Sequence, residues 1–227
     1  MVIGISGRLG SGKDTVGKII QYLTAEDVGA DCLKRIRAGL SIDGYHNSSF
    51  ENKKFAGKLK LIGSILSGVP VENFEDQEFK KLPMSLDWEM TYREFLQKLG
   101  TEAMRDGLHK NVWVNALFAD YKWYTKEWDE LGNETLGAYP NWLVTDMRFP
   151  NELDAVILRE GITIRVNRPV HALSEENNAV QLHPSETALD NSEFHYIIDN
   201  DGSFEDLMKK VEEILKIEKI PLKRWSI

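Results

Sequence analysis

The order of apolar and polar residues predicts strands that alternate with helices. Residues 2–6 form a short apolar run rich in β-branched residues, which indicates a buried strand. Val16, Ile19 and Leu23 recur at helical spacing, so residues 13–24 are predicted to form a helix. By the same criteria, further strands are predicted at 142–146, 162–166 and 196–198. Further helices are predicted at about 53–67, 92–105 and 111–126, and two more begin at 150 and at 204. This alternation is typical of an α/β layered fold with a mainly parallel sheet.

Three stretches show no clear periodicity. In residues 29–52 we expect a short strand near Leu33–Ile36, followed by a loop rich in Gly, Ser, Asp and Asn. Residues 69–87 contain two prolines and many charges, which favours an irregular insertion. Residues 170–193 are polar and have few apolar anchors, so we expect a lid there.

A P-loop motif separates the first strand from the first helix. Gly7 and Gly12 are four residues apart, and Lys13 follows directly. The glycines let backbone N–H groups turn inward around an anion, and the helix start adds unpaired donors and a partial positive charge. Lys13 would then reach the outer phosphates. The candidate phosphate-binding residues are therefore Gly7, Gly10, Ser11, Gly12, Lys13, Asp14 and Thr15.

One position of this motif departs from the usual pattern. The residue after the lysine is normally Ser or Thr, whose hydroxyl binds magnesium, but here it is Asp14, and the hydroxyl follows at Thr15. Asp14 could hold Mg²⁺ directly or through water, and the sequence leaves both open. Asp146 ends a predicted strand and Arg148 follows it, at the edge where ligand groups collect in open α/β sheets. Asp146 is therefore a second candidate for the metal.

Composition limits the other classes of function. No apolar run approaches the roughly 18 residues that span a bilayer, so no membrane partner is expected. The immediate start of the first strand argues against a signal peptide, and the single cysteine excludes an internal disulfide; both favour a reducing cytoplasm. The net charge of -8 argues against binding to polymeric nucleic acid, although a local basic cleft could hold a small anion. A homodimer is left open.

The predicted helix over 92–105 carries two different stripes. Tyr92, Phe95, Leu96 and Leu99 form an apolar stripe, whereas Arg93, Gln97, Thr101 and Arg105 recur every four residues on another face. The polar stripe could line a cleft or be an ordinary exposed face, and the pattern alone does not decide. Four lysines lie along the helix at 53–67, and most of them are interpreted as a solvated basic face: Lys53, Lys54, Lys58 and Lys60.

Several motifs resemble, in the same order, those of deoxynucleoside monophosphate kinases of the T-even phage type. They are Gly7 with Ser11–Thr15, then Arg93–Thr101, Trp113–Val114, Asp146–Arg148, Arg168–Pro169, His183–Glu186 and Asn200–Ser203. Residues 28–90 and 125–140 do not obviously match, which leaves the base preference open. The resemblance implies a three-layer P-loop kinase fold with a mainly parallel sheet, a helical acceptor-binding insertion and a lid.

As one kinase domain over residues 1–227, the chain would have its core at about 1–38, 91–169 and 194–220. The acceptor-side insertion would lie at about 39–90 and the lid at about 170–193. The resemblance also implies a reaction, in which the γ-phosphate of ATP moves to a deoxynucleoside 5′-monophosphate in the presence of Mg²⁺. Lys13, Asp146 and Arg148 would be the catalytic residues.

The resemblance further suggests how the two nucleotides are held. ATP would contact the P-loop together with Arg168, Asn200, Asp201 and Gly202, whereas the acceptor would contact Arg93 and Gln97 of the matching motif. Arg105 of the polar stripe and Arg165 are further arginines available for the acceptor phosphate. The metal would be held by Asp14, Thr15 and Asp146. Two alternatives remain: a related P-loop kinase for another acceptor, such as dephospho-coenzyme A or a modified base in DNA, or a nucleotide-binding ATPase or regulator without transfer chemistry.

Overall fold

A five-stranded parallel sheet organises the structure, a computed structural model that describes residues 1–85, 87–123, 137–169 and 187–224. In spatial order its strands are β4 (Phe50–Lys53), β5 (Asn141–Met147), β1 (Val2–Ser6), β6 (Ile162–Asn167) and β7 (Tyr196–Asp199). Every adjoining pair in this sheet runs parallel. All residues of β1 are buried, because a central parallel strand is covered on both faces and shows no polar alternation.

Helices cover both faces of this sheet. Helices α1 (Lys13–Thr24) and α7 (Phe204–Ile217) pack against each other and share one buried apolar cluster with residues of β1 and β6. Helix α6 (Pro150–Ile157) packs against β1 and β6 and approaches Gly4 so closely that a Cβ there would lie 3.1 Å from Val156 Cγ2. The structure thus confirms the prediction of an α/β fold with a mainly parallel sheet.

The chain divides into two compact units. The first, here named the main unit, comprises Met1–Lys53 and Trp123–Ile227 and contains the sheet. The second, the helical unit, comprises Lys54–Lys122. The expected division into core, insertion and lid stays a prediction.

A short helix and a ribbon follow α1 in the main unit. Helix α2 (Cys32–Arg37) is followed by β3 (His46–Ser48), which pairs antiparallel with β2 (Ala25–Val28). The prediction of a strand near Leu33–Ile36 was therefore wrong. Cys32 and the isoleucine four residues later are both buried, which is a helical period, but six residues are too few to show it in the sequence.

The helical unit contains three α-helices and three tighter or wider helical segments among its described residues. They are α3 (Phe55–Ser67), the 3₁₀ helices Val71–Glu75 and Phe79–Lys81, α4 (Tyr92–Gln97), a π-helical segment (Lys98–Asp106) and α5 (Val112–Phe118). Helix α3 packs against α4 and α5. Within the residues that the structure describes, no helix has the length and hydropathy needed to cross a bilayer.

Two helix predictions in this unit need correction. Helix α4 changes to π-helical winding at Lys98, and the wider turn of a π-helix alters the spacing of side chains around the axis. Arg93 and Gln97 therefore share α4, whereas Arg105 lies on a segment with a different period, so the four-residue repeat is not one continuous stripe. Helix α5 ends at Phe118 rather than near 126, and residues 124–126 lie outside the described residues.

The central sheet should dominate the stability of the main unit. Leu143 in β5 is fully buried between two neighbouring strands, so Leu143→Ala should lower the free energy of unfolding by about 2–5 kcal/mol. Leu158→Ala is the matched control, because that side chain is 81% exposed, and its effect should stay within about 0.5 kcal/mol. Urea unfolding measures both. Equal losses for the two variants would contradict the placement of β5 at the centre of the core.

Candidate functional site

The loops that follow the parallel strands meet at one edge of the sheet. The P-loop follows β1, Asp146 and Arg148 lie at the end of β5, Arg168 follows β6, and Asn200 follows β7. From β1 the chain first builds one side of the sheet, with β4 and β5, and then the other, with β6 and β7. β1 therefore lies at the topological switch point, where ligands bind in open α/β sheets.

The P-loop requires glycine at Gly12 because of its backbone conformation and at Gly7 because of a close approach. Gly12 has φ +97°, in the left-handed region, and its carbonyl accepts the first helical hydrogen bond of α1 from Val16 N at 2.9 Å. At Gly7 a Cβ would lie 2.6 Å from the carbonyl oxygen of Val166. Lys13 is only 7% exposed, whereas Asp14, in the first turn of α1, is exposed. The sequence motif thus corresponds to a tightly constrained loop at the start of a helix.

Two side chains from neighbouring loops hold the P-loop backbone. Asn200 Nδ2 donates a hydrogen bond to the carbonyl of Ser11 at 2.9 Å, and Arg168 Nη1 donates to the carbonyl of Gly10 at 3.4 Å. Asn200 also packs against Gly12, where a Cβ would lie 2.5 Å from its Nδ2. Both residues were predicted from the sequence to contact the nucleotide. The structure assigns them a contact with the loop itself, and their contact with ATP stays a prediction.

A carboxylate joins two arginines beside the P-loop. Asp190 lies 2.6 Å from Arg8 Nη2 and 2.5 Å from Arg165 Nη2, and Arg165 Nη1 also donates to Ser6 Oγ at 3.2 Å. Burial lowers the pKa of the Arg165 guanidinium, the charge of Asp190 raises it, and the charge of Arg8 lowers it. Because the ordinary pKa of arginine is so high, Arg165 remains charged. Asp190 therefore pairs with two cations in this part of the main unit, and these three side chains together keep a net positive charge.

A cavity of about 400 Å³ opens next to these groups. Its lining includes Arg8, Ser11, Arg165, Arg168 and Asp190, with apolar surface from Leu189. This volume falls in the range of small-molecule sites, and its mixture of apolar walls and a few cations suits part of a nucleotide.

The end of β5 is held by a buried acid. Glu152 is 3% exposed, and its Oε2 accepts hydrogen bonds from the backbone N–H groups of Arg148 at 2.7 Å and Phe149 at 3.1 Å. These bonds fix the backbone that carries Arg148 at the start of α6. Among the described residues, the buried hydroxyls of Ser11 and Thr145 have no hydrogen-bond partner. Oxygen donors for a hard cation therefore lie on both the P-loop and β5.

The four predicted acceptor residues do not lie in one unit. Arg165 belongs to the main unit, whereas Arg93, Gln97 and Arg105 belong to the helical unit. Arg93 is partly buried and its Nη2 donates to Gln77 Oε1 at 3.3 Å, whereas Gln97 is exposed. The structure therefore keeps the first two residues of the predicted stripe together on α4.

Three features of this site were not predicted from the sequence: Arg8, Asp190, and the hydrogen bonds by which Glu152 holds the backbone after β5. Arg8 occupies a variable position of the P-loop motif, and Asp190 lies in the predicted lid, where no periodicity marks it. Of that lid, residues 170–186 lie outside the described residues, and this includes the motif at His183–Glu186. Within the described ranges, no group of three or more His, Cys, Asp or Glu side chains could hold a metal ion.

This chain matches a family of known proteins over most of its length. Residues 48–211 match the family model described as deoxynucleotide monophosphate kinase, a match that begins after the P-loop. The deoxynucleotide monophosphate kinases of Enterobacteria phage T4 and Escherichia phage RB69 are each 27% identical, over 147 and 124 residues. These alignments cover 65% and 55% of this chain but 49% and 44% of the phage proteins, so the chain spans about half the length of the curated relatives it matches.

A solved structure, dephospho-CoA kinase from Campylobacter jejuni, aligns over 95% of this chain and 96% of its own, with 14% identity and a TM-score of 0.40. A likeness at that level decides neither fold nor function.

The contact between Asn200 and the P-loop can be tested separately from any contact with a base. Asn200→Ala removes the donor to Ser11 O and should weaken binding of both ATP and inorganic tripolyphosphate by about tenfold. The reason is that a hydrogen bond is worth about 1 kcal/mol and the loss of this partly buried one leaves a carbonyl unsatisfied. Calorimetric titration measures both ligands, and Asn191→Ala, at an exposed position, is the control. A loss confined to ATP would show that Asn200 acts on the base instead.

Proposed function

We propose that this chain, which belongs to the deoxynucleotide monophosphate kinase family, transfers the γ-phosphate of ATP to a deoxynucleoside 5′-monophosphate. The family match carries the proposal. A second observation supports it independently, because the P-loop at the end of β1 precedes the matched residues and was identified from its own motif and geometry. The cytoplasm, where both nucleotides occur, is the compartment we propose.

On the donor side, the P-loop would bind the ATP phosphates. Lys13 would stabilise the charge that develops on the transferring phosphoryl group. In the transfer, an oxygen of the acceptor phosphate forms a bond to the γ-phosphorus, the bond to the β–γ bridging oxygen breaks, and ADP leaves. The backbone of Arg148 is fixed by Glu152. We propose that its guanidinium contacts both phosphates and stabilises the negative charge that is redistributed between them during transfer.

The residues at this edge of the sheet fit a magnesium ion. Mg²⁺ is bound through one or two carboxylates, hydroxyls, waters and substrate phosphates, and Asp146 and Thr15 supply such oxygens, with Asp14 as the further candidate. The unpartnered hydroxyl of Thr145 belongs to a side chain that packs beside Gly17, so β5 presents a further oxygen toward α1, the helix that follows the P-loop. When bound, the ion would neutralise phosphate charge during transfer.

On the acceptor side, Arg93 would bind the phosphate of the monophosphate, with Gln97 near its base or sugar. A guanidinium suits this task because it can donate two parallel hydrogen bonds to a phosphate. Arg105, on the π-helical segment, and Arg165, next to the P-loop, are further candidates for the acceptor. An assay over a panel of nucleoside monophosphates would measure which bases are accepted and whether deoxyribose is preferred over ribose.

A coupled assay of ADP formation over a panel of ribo- and deoxynucleoside monophosphates tests the proposal. Wild type should form ADP only when a monophosphate is added, whereas an ATPase or a nucleotide-binding regulator would show no such dependence.

Lys13→Ala should lower kcat by at least about a hundredfold, because one preorganised charge at the transferring group is worth that much, while the fold survives. Lys209→Ala, at an exposed position of α7, is the control. A folded Lys13 variant with normal turnover would remove the P-loop from the catalytic site.

Replacing Asp146 tests the metal. Asp146→Asn keeps the shape but removes the charge that would position Mg²⁺ or its water shell, so kcat should fall by about a hundredfold and the midpoint for magnesium should rise. The melting temperature should change little. Asp154→Asn, at an exposed position of α6, is the matched control. Equal rates for wild type and Asp146→Asn over a magnesium titration would reject this role.

A further inference from the structure

Three aromatic rings hold three segments of the helical unit together. Phe79, in the second 3₁₀ helix, stacks on Tyr92 of α4 with ring centroids 4.6 Å apart and planes at 29°. Phe74, in the first 3₁₀ helix, is fully buried and meets both rings edge-on, at 6.3 Å and 5.9 Å. Offset-stacked and edge-to-face pairs are the favourable aromatic arrangements, so this trio fixes the positions of the three segments.

Each of these rings is followed in the sequence by a charged residue. Glu75 follows Phe74, Lys80 follows Phe79, and Arg93 follows Tyr92. Helix α3 and its N-terminus add two more cations, since Lys60 Nζ lies 2.7 Å and Lys54 Nζ 3.6 Å from the carboxylate of Glu75. Lys54 and Lys60 thus contact the same carboxylate, and Lys80 lies close enough to these three groups and to Arg93 for their charges to act on it. We name Lys54, Lys60, Lys80, Arg93 and Glu75 the lysine cluster.

The lysine cluster has more positive charge than it can neutralise. Burial lowers the pKa of Lys80 to about 8, with the charges of Lys60 and Arg93 acting in the same direction, Glu75 opposing them and Lys54 adding to the decrease. Burial raises the pKa of Glu75, but hydrogen bonds and charges from Lys60 and Lys54 outweigh it, so the net pKa is lowered. Within the described part of the chain, the Lys80 ammonium makes no ion pair or hydrogen bond.

A bound anion would relieve the repulsion among the cations of the lysine cluster. The chain as a whole has a net charge of -8, so a concentration of cations is not a general property of its surface. Glu75 forms ion pairs with Lys60 and Lys54. Within the cluster, Lys80 and Arg93 form no ion pair with this carboxylate, and Arg93 donates to the neutral side chain of Gln77. A phosphate monoester carries close to two negative charges at neutral pH and offers three acceptor oxygens. These oxygens could accept from the Lys80 ammonium and from the N–H groups of Arg93 that do not bond to Gln77.

We propose that Lys80, together with Lys60 and Arg93, binds the 5′-phosphate of the acceptor nucleotide. This inference rests on the proposed function for the identity of the ligand, and it adds Lys80 and Lys60 to the single arginine that the family motif indicates. The binding site lies entirely within the helical unit. Lys60 is held by Glu75 and its side chain is only 13% exposed, so its charge is in place before the phosphate arrives.

Steady-state kinetics with two neighbouring lysine variants test the site. Lys80→Gln should raise KM for the monophosphate by about tenfold, the equivalent of one charge-assisted contact, and change KM for ATP by less than about twofold. Lys81→Gln is the matched control, because Lys81 is the next residue, is exposed and pairs with Glu78 at 2.8 Å. It should leave both constants near their wild-type values. If Lys80→Gln weakened ATP instead, the cluster would bind the donor and the proposal would fail.

The pH profile gives a readout that a merely structural lysine would not give. Lys80 is charged below pH about 8 and loses its charge as the pH rises through that value, so kcat/KM for the monophosphate should fall above about pH 8 in the wild type. Lys80→Arg keeps its charge, and its profile should stay flat to about pH 9.5. The same fall in wild type and Lys80→Arg would overturn the assignment to Lys80.

A binding experiment separates this inference from the proposed function. Calorimetric titration with deoxynucleoside monophosphates needs no turnover. If the wild type binds a monophosphate and Lys80→Gln weakens this binding, the result supports the site. It does so even if no monophosphate stimulates ADP formation, because the missing stimulation would reject only the kinase activity. Unchanged KM and unchanged affinity in Lys80→Gln would overturn the site and leave the kinase proposal intact.

Discussion

The backbone conformation of the P-loop is the constraint on which the main unit depends. A left-handed Gly12 and a close approach at Gly7 cost conformational freedom, and they persist only because the loop is fixed at both ends and along its length. A fully buried strand precedes it, a helix packed on that strand follows it, and Asn200 and Arg168 hold its carbonyls. Since these two side chains come from the ends of β7 and β6, the order of the parallel strands is itself a requirement of the loop.

The buried charge of Arg165 also depends on contacts between distant segments. A buried guanidinium is unfavourable unless a partner compensates for its lost hydration, and truncating one partner of such a pair leaves an uncompensated charge. Asp190 supplies that compensation and at the same time pairs with Arg8 on the P-loop. The carboxylate thus connects the segment after residue 187 to the loop and to β6, and it keeps two arginines in position next to the cavity.

Much of the fold follows from periodicity, and the exceptions have physical causes. β1, α1, β6 and α7 are long or strongly patterned, so the sequence predicted them within a residue or two. α2 is too short to show a period, and β3 and β4 are short and polar. The P-loop is local and was therefore evident, whereas the pair between Arg8 and Asp190 joins residues 182 positions apart and leaves no pattern in either segment. The family motif indicated Asn200, but only the structure shows its hydrogen bond to the loop.

The lysines of α3 show why composition alone could not separate a solvated face from a charged cluster. Lys58 and Lys60 look alike in the sequence, yet Lys58 pairs with Asp120 at a side-chain exposure of 41%, whereas Lys60 is 13% exposed and lies at Glu75. The difference arises from the aromatic trio, which brings the residues after Phe74 and Phe79 to this side of α3. Exposed pairs such as that of Lys58 contribute about 0–1 kcal/mol and are screened by salt. Lys60 and Lys80 are partly buried, so their charges are less screened and their mutual repulsion favours an anion of matching charge. In the proposed function the two units thus hold phosphate by different physics: the main unit by a constrained backbone loop, and the helical unit by an excess of side-chain charge.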